Sequence, residues 1–396
     1  MPHRMVGDPQ LVAGALLSGR SWLFSRSRLM TVVALDGIAL RERGRGVARS
    51  MKHLIPLLAK KGGIEYVTLL TKEGDRLLGD FEGNKMVVPT MPTSIWEQFG
   101  LPFFARRVGA SLIYSLAECA PLWGARVLLH VPEDPYIRWQ LMAASSFREY
   151  LRRAYQRLTM TAGIRRAPLV IASCGPTANA LRARFGEHIA ALRIVPLGVD
   201  TNLFRASPNP SEDAIFHLGS AESRDQTTTV VQAYSEALKL SPDLPDLVIG
   251  GDLGPNMELA HNAAAEAQAV TRVQFLGRVT DTELRHRYAN CAICIQLTRY
   301  EGFGLQPLEA LACGAPVLVP PEAAVLEVVG GAAVIADDGH PSAIAKVIVD
   351  LWNDPNRRAR LRAAGPRRAA EFSWPDTATR IHDALLQLAP SGGQLT

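Results

Sequence analysis

A buried strand, a glycine-rich turn and a short helix follow one another between residues 293 and 314. The apolar run 293–297 predicts a strand, and residues 305–313 predict a helix that ends at Gly314. In open α/β sheets, ligands bind beyond the carboxyl ends of parallel strands, where the free N–H groups of a helix start attract anions. The pattern therefore predicts a parallel α/β fold with a phosphate-binding turn at residues 301–304.

Two carboxylates, Glu301 and Glu309, stand eight positions apart around this turn. A carboxylate pair is also the machinery of glycoside hydrolases, but there the separation in space decides the chemistry. Glu301 lies on a loop, so helical spacing does not predict how it faces Glu309. The glycines let the backbone approach a ligand closely, which fits a phosphate-facing turn better.

Strand and helix patterns alternate along the rest of the chain as well. Before residue 200, strand patterns cover 31–35, 66–70, 126–129, 170–173 and 193–196, and the glycine-rich loop 43–49 follows the first of them. After residue 200 they cover 214–218, 247–249, 273–276, 293–297 and 317–319. A chain of 396 residues, 47% of them hydrophobic, is sufficient for two cores, so we expect two Rossmann-like domains.

The stretch from Arg299 to Val317 closely resembles the Glu-containing signature of the retaining glycosyltransferases of family 4. These enzymes have the GT-B architecture, in which two Rossmann-like domains face each other across a cleft and a C-terminal helix crosses back to the N-terminal domain. The resemblance implies that Glu309 binds the ribose of a nucleoside diphosphate sugar. It also implies that the turn and the residue after it contact the donor; these residues are Glu301, Gly302, Phe303, Gly304 and Leu305.

The resemblance also implies two sites in the N-terminal half. Gly44 and Gly46 lie in a loop that resembles the family's glycine loop, which faces the donor phosphates across the cleft. His130 ends a predicted strand, and the family often has a His at this point. We therefore expect His130 to face the cleft and to contact a sugar hydroxyl.

One turn departs from the family pattern. After the strand at 214–218, family members place an Arg near the position of Ser220 and a Lys near that of Asp225, and both contact the donor pyrophosphate. Here only Arg224 is basic. A cation at a leaving diphosphate typically contributes about 3 to 4 kcal/mol to catalysis. Arg224 and helix N-termini compensate for part of that loss, or the protein is slow, or its donor is unusual.

These patterns give the following domain organisation. We expect a leader at 1–29, an N-terminal Rossmann-like acceptor domain at 30–200 and a C-terminal nucleotide-sugar domain at 201–371. Residues 372–396 are expected to form the crossover helix and a tail. The boundary rests on residues 197–204, which resemble the family's interdomain segment.

Charge is divided unevenly along the chain. Residues 1–195 carry 27 Lys and Arg against 14 Asp and Glu, whereas residues 196–396 carry 16 against 24. The predicted helix 147–160 has Arg148, Arg152, Arg153 and Arg157 on one face. A basic half attracts anionic partners, so we expect an anionic or lipid-linked acceptor, or peripheral contact with an anionic membrane, and no nucleic acid.

The cysteine content, the apolar runs and the acidic motifs bear on compartment and cofactors. Five cysteines are an odd number for a disulfide framework, and no apolar run reaches the roughly 18 residues of a spanning helix. We therefore expect a cytoplasmic protein, with peripheral contact at the inner membrane face. The sequence has no Asp-x-Asp motif, and Cys291 and Cys294 are better explained by packing than by zinc. No metal or cofactor is expected beyond the nucleotide sugar as co-substrate.

The sequence thus predicts a metal-independent, retaining glycosyltransferase that uses a nucleoside diphosphate sugar. Glu301, Arg224 and His130 are the candidate catalytic residues, and charge stabilisation is the main catalytic effect expected. One alternative is an epimerase or phosphorylase on the same fold. Another is a non-catalytic subunit that binds a nucleotide sugar and partners an active transferase.

Overall fold

The computed structural model describes residues 31–40, 46–117, 119–124, 126–133, 136 and 146–389. The predicted leader, Gly44 and the last seven residues lie outside these ranges. Within them, two parallel sheets succeed each other along the chain. The predicted boundary near residue 200 lies between the last strand of the first sheet and the first strand of the second.

The first sheet has strand order β3-β2-β1-β4-β5-β6-β7, all parallel. Its central strands are buried along almost their whole length, as in parallel sheets covered by helices on both faces. The strands are β1 (Thr31–Asp36), β2 (Ile64–Leu70), β3 (Lys85–Val87), β4 (Leu112–Leu116), β5 (Arg126–Val131), β6 (Val170–Ala172) and β7 (Leu192–Ile194).

The helices of this domain connect successive strands. They are α1 (Gly46–Ala59), α2 (Lys72–Leu78), α3 (Thr93–Ile95), a π-helix (Trp96–Gly100), α4 (Leu101–Arg107), α5 (Phe147–Arg166) and α6 (Gly175–Phe185). Ser146 caps α5, because its hydroxyl accepts a hydrogen bond from the backbone N–H of Glu149 at 3.2 Å. The helix extends six residues beyond the predicted end at 160. Its buried residues lie towards this end and are Thr159, Met160, Gly163 and Ile164.

The second sheet repeats the topology with the order β10-β9-β8-β11-β12-β13. Its strands are β8 (Ala214–Leu218), β9 (Asp246–Gly250), β10 (Val273–Gly277), β11 (Ile293–Ile295), β12 (Val317–Val319) and β13 (Val334–Ile335). Its helices are α7 (Thr227–Leu240), α8 (Asn256–Glu266), α9 (Asp281–Asn290), α10 (Leu305–Ala312), α11 (Ala323–Val329), α12 (Pro341–Trp352) and α13 (Pro355–Ala369). In each sheet the strand order reverses beside the first strand, which is where such folds bind ligands.

The last helix, α14 (Trp374–Leu388), packs on the first domain. Its His382 Nδ1 lies 2.7 Å from the Tyr66 hydroxyl on β2, and the Trp374 ring stacks on His53 of α1 at 5.2 Å. The Thr377 hydroxyl donates a hydrogen bond to the Pro196 carbonyl at 2.8 Å. The predicted fold, two Rossmann-like α/β domains with a C-terminal helix crossing back to the first, is confirmed.

None of the helices in the described ranges combines the length and the apolar character that crossing a membrane requires.

Gly198 tests how this crossover is held. Its backbone lies against the start of α14, where a Cβ would come within 2.3 Å of the Trp374 backbone nitrogen. We expect Gly198→Ala to lower the free energy of unfolding by about 2 kcal/mol or more, because the clash is with main-chain atoms. Gly331→Ala is the matched control, since a Cβ there meets nothing within 4 Å. Equal urea midpoints for the two variants would contradict this account.

Candidate active site

A cleft of about 580 Å³ separates the start of α1 from the carboxyl ends of the second sheet. Its volume is in the range typical of small-molecule sites. The first domain contributes Gly46 and Arg49. The second contributes residues that follow β8, β9 and β10 and those that begin α10: Leu218, Gly219, Ser220, Gly251, Asp252, Arg278, Val279, Thr280, Asp281, Leu284, Leu305 and Gln306.

The turn 301–304 contacts the first domain directly. The Gly302 carbonyl accepts hydrogen bonds from the Cys174 Sγ at 3.0 Å and from the Thr177 hydroxyl at 3.2 Å, both at the start of α6. A Cβ on Gly302 would lie 2.3 Å from the Pro132 carbonyl oxygen. Only glycine therefore allows this approach. At Gly46, by contrast, a Cβ would make an ordinary contact with Leu305 at 3.5 Å.

The turn ends where α10 begins. Gly304 has φ 98°, in the left-handed region that favours glycine, and the preceding Tyr300 has φ 58° although it is not a glycine. Within the described residues no side chain caps α10, so its first N–H groups are not satisfied by a capping side chain. Leu305 and Gln306, the first two residues of the helix, line the cleft. A helix start of this kind can accept an anion.

Glu309 lies one turn further into α10 and is 2% exposed. One of its carboxylate oxygens is bonded to Arg49 of α1, which also donates to Asp281 at 2.7 Å. The other oxygen, Oε2, is buried and has no hydrogen-bond partner among the described residues. Burial raises the pKa of Glu309, and Arg49 offsets part of that rise. A buried acceptor without a partner is rare in proteins and indicates a missing donor.

Glu301 is half-buried in the turn. Burial raises its pKa to about 7; Arg224 lowers it, whereas Glu133 and Asp225 raise it further. The carboxyl group therefore titrates near neutral pH. Such perturbed groups cluster at functional sites.

Arg224 is the cation expected at the donor pyrophosphate, and carboxylates surround it. Its guanidinium donates to Glu133 Oε2 of the first domain at 2.8 Å and pairs with Glu222 Oε2 at 2.6 Å. The buried Ser220 accepts a hydrogen bond from the Glu222 backbone N–H at 3.1 Å, and Asp225 is also buried. The turn after β8 therefore presents one arginine that is already paired with two carboxylates.

The expectation that His130 faces the cleft is wrong. Its side chain is fully buried within the first domain. Its Nδ1 lies 3.0 Å from the Tyr114 hydroxyl and its Nε2 lies 3.1 Å from the Ser173 hydroxyl. Burial lowers its pKa to about 3, so the ring is neutral. His130 lies at the carboxyl end of β5, but its alternating side-chain direction points into the core.

Several cleft residues were not identified from the sequence. Arg49 and Asp281 are first-turn residues of α1 and α9, and Arg278 follows β10. The sequence could have predicted Arg278, because it follows a parallel strand and the residues after such strands lie at one edge of the sheet. No local signal pairs Arg49 with Glu309, which are 260 positions apart. Among the described residues, no group of three or more His, Cys, Asp or Glu is arranged to hold a metal ion.

The second domain matches a known protein family. Residues 200–368 match the family described as glycosyl transferases group 1. The chain is 29% identical over 168 residues to O-antigen chain mannosyltransferase B of Escherichia coli, covering 42% of this chain and 44% of that protein. It is 28% identical over 246 residues to D-inositol 3-phosphate glycosyltransferase of Rhodococcus erythropolis, covering 55% and 52%. The chain thus spans about half the length of these curated relatives.

Solved structures share the fold over nearly the whole chain. HepE from Anabaena, crystallised in complex with UDP and glucose, superposes with a TM-score of 0.71 at 17% identity and covers 91% of this chain and 100% of that one. WaaG, a glycosyltransferase involved in lipopolysaccharide biosynthesis, gives a TM-score of 0.69 at 12% identity with 91% and 100% coverage. The chain therefore has the two-domain GT-B fold of these structures, and its residues 200–368 are similar to the glycosyl transferases group 1 family.

The raised pKa of Glu301 predicts a pH-dependent stability. A carboxyl group whose pKa rises from 4.5 to about 7 on folding makes the native state bind more protons in that window, so stability falls as pH rises through it. We expect Glu301→Gln to be more stable than the parent by about 1–3 kcal/mol above pH 7, with no difference below about pH 4.5. Chemical unfolding at both ends of the window measures this.

The exposed Glu187→Gln, which removes a surface carboxyl group, is the control for this experiment. A Glu301→Gln variant that is less stable than the parent above pH 7 would show that pairing with Arg224 outweighs burial.

Proposed function

We propose that this protein is a retaining glycosyltransferase that moves a sugar from a nucleoside diphosphate sugar to an acceptor hydroxyl without a metal ion. The observation that carries the proposal is the buried Glu309 oxygen without a partner, beside cleft residues Arg49 and Asp281. The two hydroxyls of a ribose supply the donor that this oxygen needs. The resemblance to family 4 and the UDP bound to HepE support the same assignment.

The rest of the donor would extend along the cleft. With the ribose at Glu309, the diphosphate lies between the uncapped start of α10 and the turn Gly219–Ser220. Gly46 gives it room on the opposite side, and the exposed Arg278 adds a cation at the rim. The sugar then reaches Glu301 and Gly302 in the adjoining turn.

The chemistry proposed is stabilisation of separated charge. As the bond to the diphosphate breaks, negative charge grows on the leaving oxygen and positive charge on the sugar ring. Backbone N–H groups at the start of α10 face the former and the Glu301 carboxylate faces the latter. The acceptor hydroxyl attacks from the side that the diphosphate leaves, which retains configuration. Its oxygen bonds to the anomeric carbon as the bond from that carbon to the diphosphate breaks, and its proton passes to the departing diphosphate oxygen. His130 has no part in this scheme, because its ring nitrogens are engaged within the first domain.

We infer that the acceptor binds in a second cavity. It measures about 110 Å³ and lies beside Glu301, where the two domains meet. Its lining includes Glu133, Thr177, Tyr300, Glu301, Gly302 and Ala324. The acceptor proposed is anionic or lipid-linked, in keeping with the basic N-terminal half.

A second candidate function is a non-catalytic subunit that binds a nucleotide sugar. The specific observation in its favour is that Arg224 is held by Glu133 and Glu222 while Ser220 and Asp225 occupy the positions of the family's cations. Hydrolysis of the donor by the pure protein, or transfer to an acceptor in a cell extract, separates the two candidates. The subunit would bind donor and turn over none.

We expect UDP- or GDP-sugars to raise the melting temperature in the presence of a chelator, because backbone amides and arginine, not a metal ion, bind the diphosphate. At 100 times the dissociation constant the stabilisation is about 2.7 kcal/mol. Glu309→Gln should reduce the shift, whereas the exposed Glu187→Gln should leave it unchanged. A shift that appears only with magnesium or manganese would contradict the metal-independent mechanism.

Glu133→Gln should strengthen the binding of nucleoside diphosphates. Glu133 occupies an N–H of Arg224 at 2.8 Å, so a diphosphate must displace this carboxylate before it pairs with the arginine. Removing the charge while keeping the shape should lower the dissociation constant by about fivefold, measured by calorimetry. Glu65→Gln, on β2 and away from the cleft, is the control. Weaker binding by Glu133→Gln would show instead that Glu133 positions Arg224 for the ligand.

A further inference from the structure

The first three turns of α5 expose their apolar side. Phe147, Tyr150, Leu151 and Leu158 are between 51% and 72% exposed. Their spacing of three, four and seven residues places them on one face of the helix. The buried residues of α5 lie only in its last two turns. The described part of the domain therefore leaves this face uncovered.

A second exposed apolar set lies on a neighbouring helical segment of the same domain. Ile95, Phe99 and Phe103 recur every four residues along the continuous helical segment 93–107 and are between 47% and 62% exposed. The ring of the half-exposed Trp123 lies 6.2 Å from that of Phe99. Four large apolar side chains thus form a second uncovered patch.

Tyr155 of α5 bonds to the segment that carries the second set. Its hydroxyl donates to Glu97 Oε2 at 2.7 Å and accepts from Gln98 Nε2 at 3.1 Å. Gln98 Oε1 in turn accepts from the Leu122 backbone N–H at 2.9 Å, next to Trp123. These bonds hold α5 against segment 93–107. We call the exposed apolar side chains of α5 and of segment 93–107, together with Trp123, the interfacial surface.

The charges around the interfacial surface are predominantly positive. Segments 93–107 and 146–166 carry eight arginines and two glutamates. Glu149 is bonded to Arg153 and Glu97 to Tyr155. The other arginines are exposed: Arg106, Arg107, Arg148, Arg152, Arg157, Arg165 and Arg166. A large exposed aromatic patch with a basic rim is unusual for a soluble domain and marks an interaction site.

We propose that the interfacial surface binds an anionic lipid bilayer, with the aromatic side chains in the headgroup region and the arginines on the lipid phosphates. An apolar helix face flanked by arginines matches the chemistry of such a surface, in which apolar burial and attraction to anionic lipid act together. In this contact the protein lies on the surface of the membrane. The sequence predicts a basic amphipathic helix here, and the structure adds that large apolar side chains of α5 are exposed and not packed on the core.

The interfacial surface is linked to the cleft by a short segment. The Tyr136 hydroxyl donates to the Arg157 carbonyl at 3.2 Å and lies 2.7 Å from the Thr161 hydroxyl, which fixes it to α5. Tyr136 stands three residues after Glu133, the partner of Arg224. A lipid-linked acceptor in the bilayer would thus lie near the acceptor cavity. That consequence rests on the proposed function; the membrane contact itself does not.

Sedimentation of the full chain with vesicles tests the proposal. We expect binding to vesicles containing phosphatidylglycerol, little binding to phosphatidylcholine alone, and weaker binding as salt rises from low to physiological. Arg148→Glu with Arg152→Glu should weaken binding about 25-fold or more, since each Arg at such a surface contributes about fivefold. Phe147→Ser with Leu151→Ser should weaken it more than about tenfold.

Matched controls come from the second domain. Leu259→Ser removes a similarly exposed apolar side chain. Arg360→Glu reverses the charge at a side chain that is 70% exposed. Neither should change vesicle binding. Because all these side chains are exposed, circular dichroism should be the same for every variant.

Three results would overturn the proposal: no binding to either vesicle, equal binding to both, or binding that neither double variant weakens. Sedimentation velocity without lipid supplies a fourth. If the parent is a dimer that Phe147→Ser with Leu151→Ser converts to a monomer, the interfacial surface joins two copies of the chain instead. The measurements need no nucleotide sugar, so a failure of the proposed transferase activity would leave them interpretable.

Discussion

The contact between the Glu301–Gly304 turn and the first domain determines the geometry of the whole cleft. Gly302 places its backbone against Pro132, and its carbonyl is held by Cys174 and Thr177 at the start of α6. A side chain at this point would separate the domains. Glu301 directly precedes Gly302 and α10 begins three residues after it, so their positions relative to the first domain are set by a main-chain contact and not by flexible side chains.

Two ion-pair groups cross the same cleft. Arg49 of the first domain meets Glu309 and Asp281 of the second, and Arg224 of the second meets Glu133 of the first. Partly buried pairs of this kind add little net stability, because desolvation offsets their attraction. They do specify how the two domains align. They also mean that the cleft's arginines are paired before any anion arrives, so a ligand has to exchange partners with a carboxylate.

The parallel alternation, the turn and the helix that follows it were predictable, because buried strands and helix caps leave local signals in the sequence. β3 and β4 were not predicted, although Leu112–Leu116 is fully buried, since a short mixed run such as Leu-Ile-Tyr-Ser-Leu has no clear period. The direction of the His130 side chain was predicted wrongly, because a location at the carboxyl end of a strand does not by itself determine which face of the sheet a residue occupies. Arg49 was missed because its partners are distant in sequence.

Local irregularities concentrate where the family resemblance places the donor. Three such features fall between Tyr300 and Glu309. They are a non-glycine residue with positive φ, a carboxyl group with a pKa near 7, and a buried carboxylate oxygen that has no hydrogen-bond partner among the described residues. Each is unfavourable in an isolated fold. Sequences keep such features where function requires them. The structure therefore points to residues 300–309 as a functional site by an argument that does not depend on the signature itself.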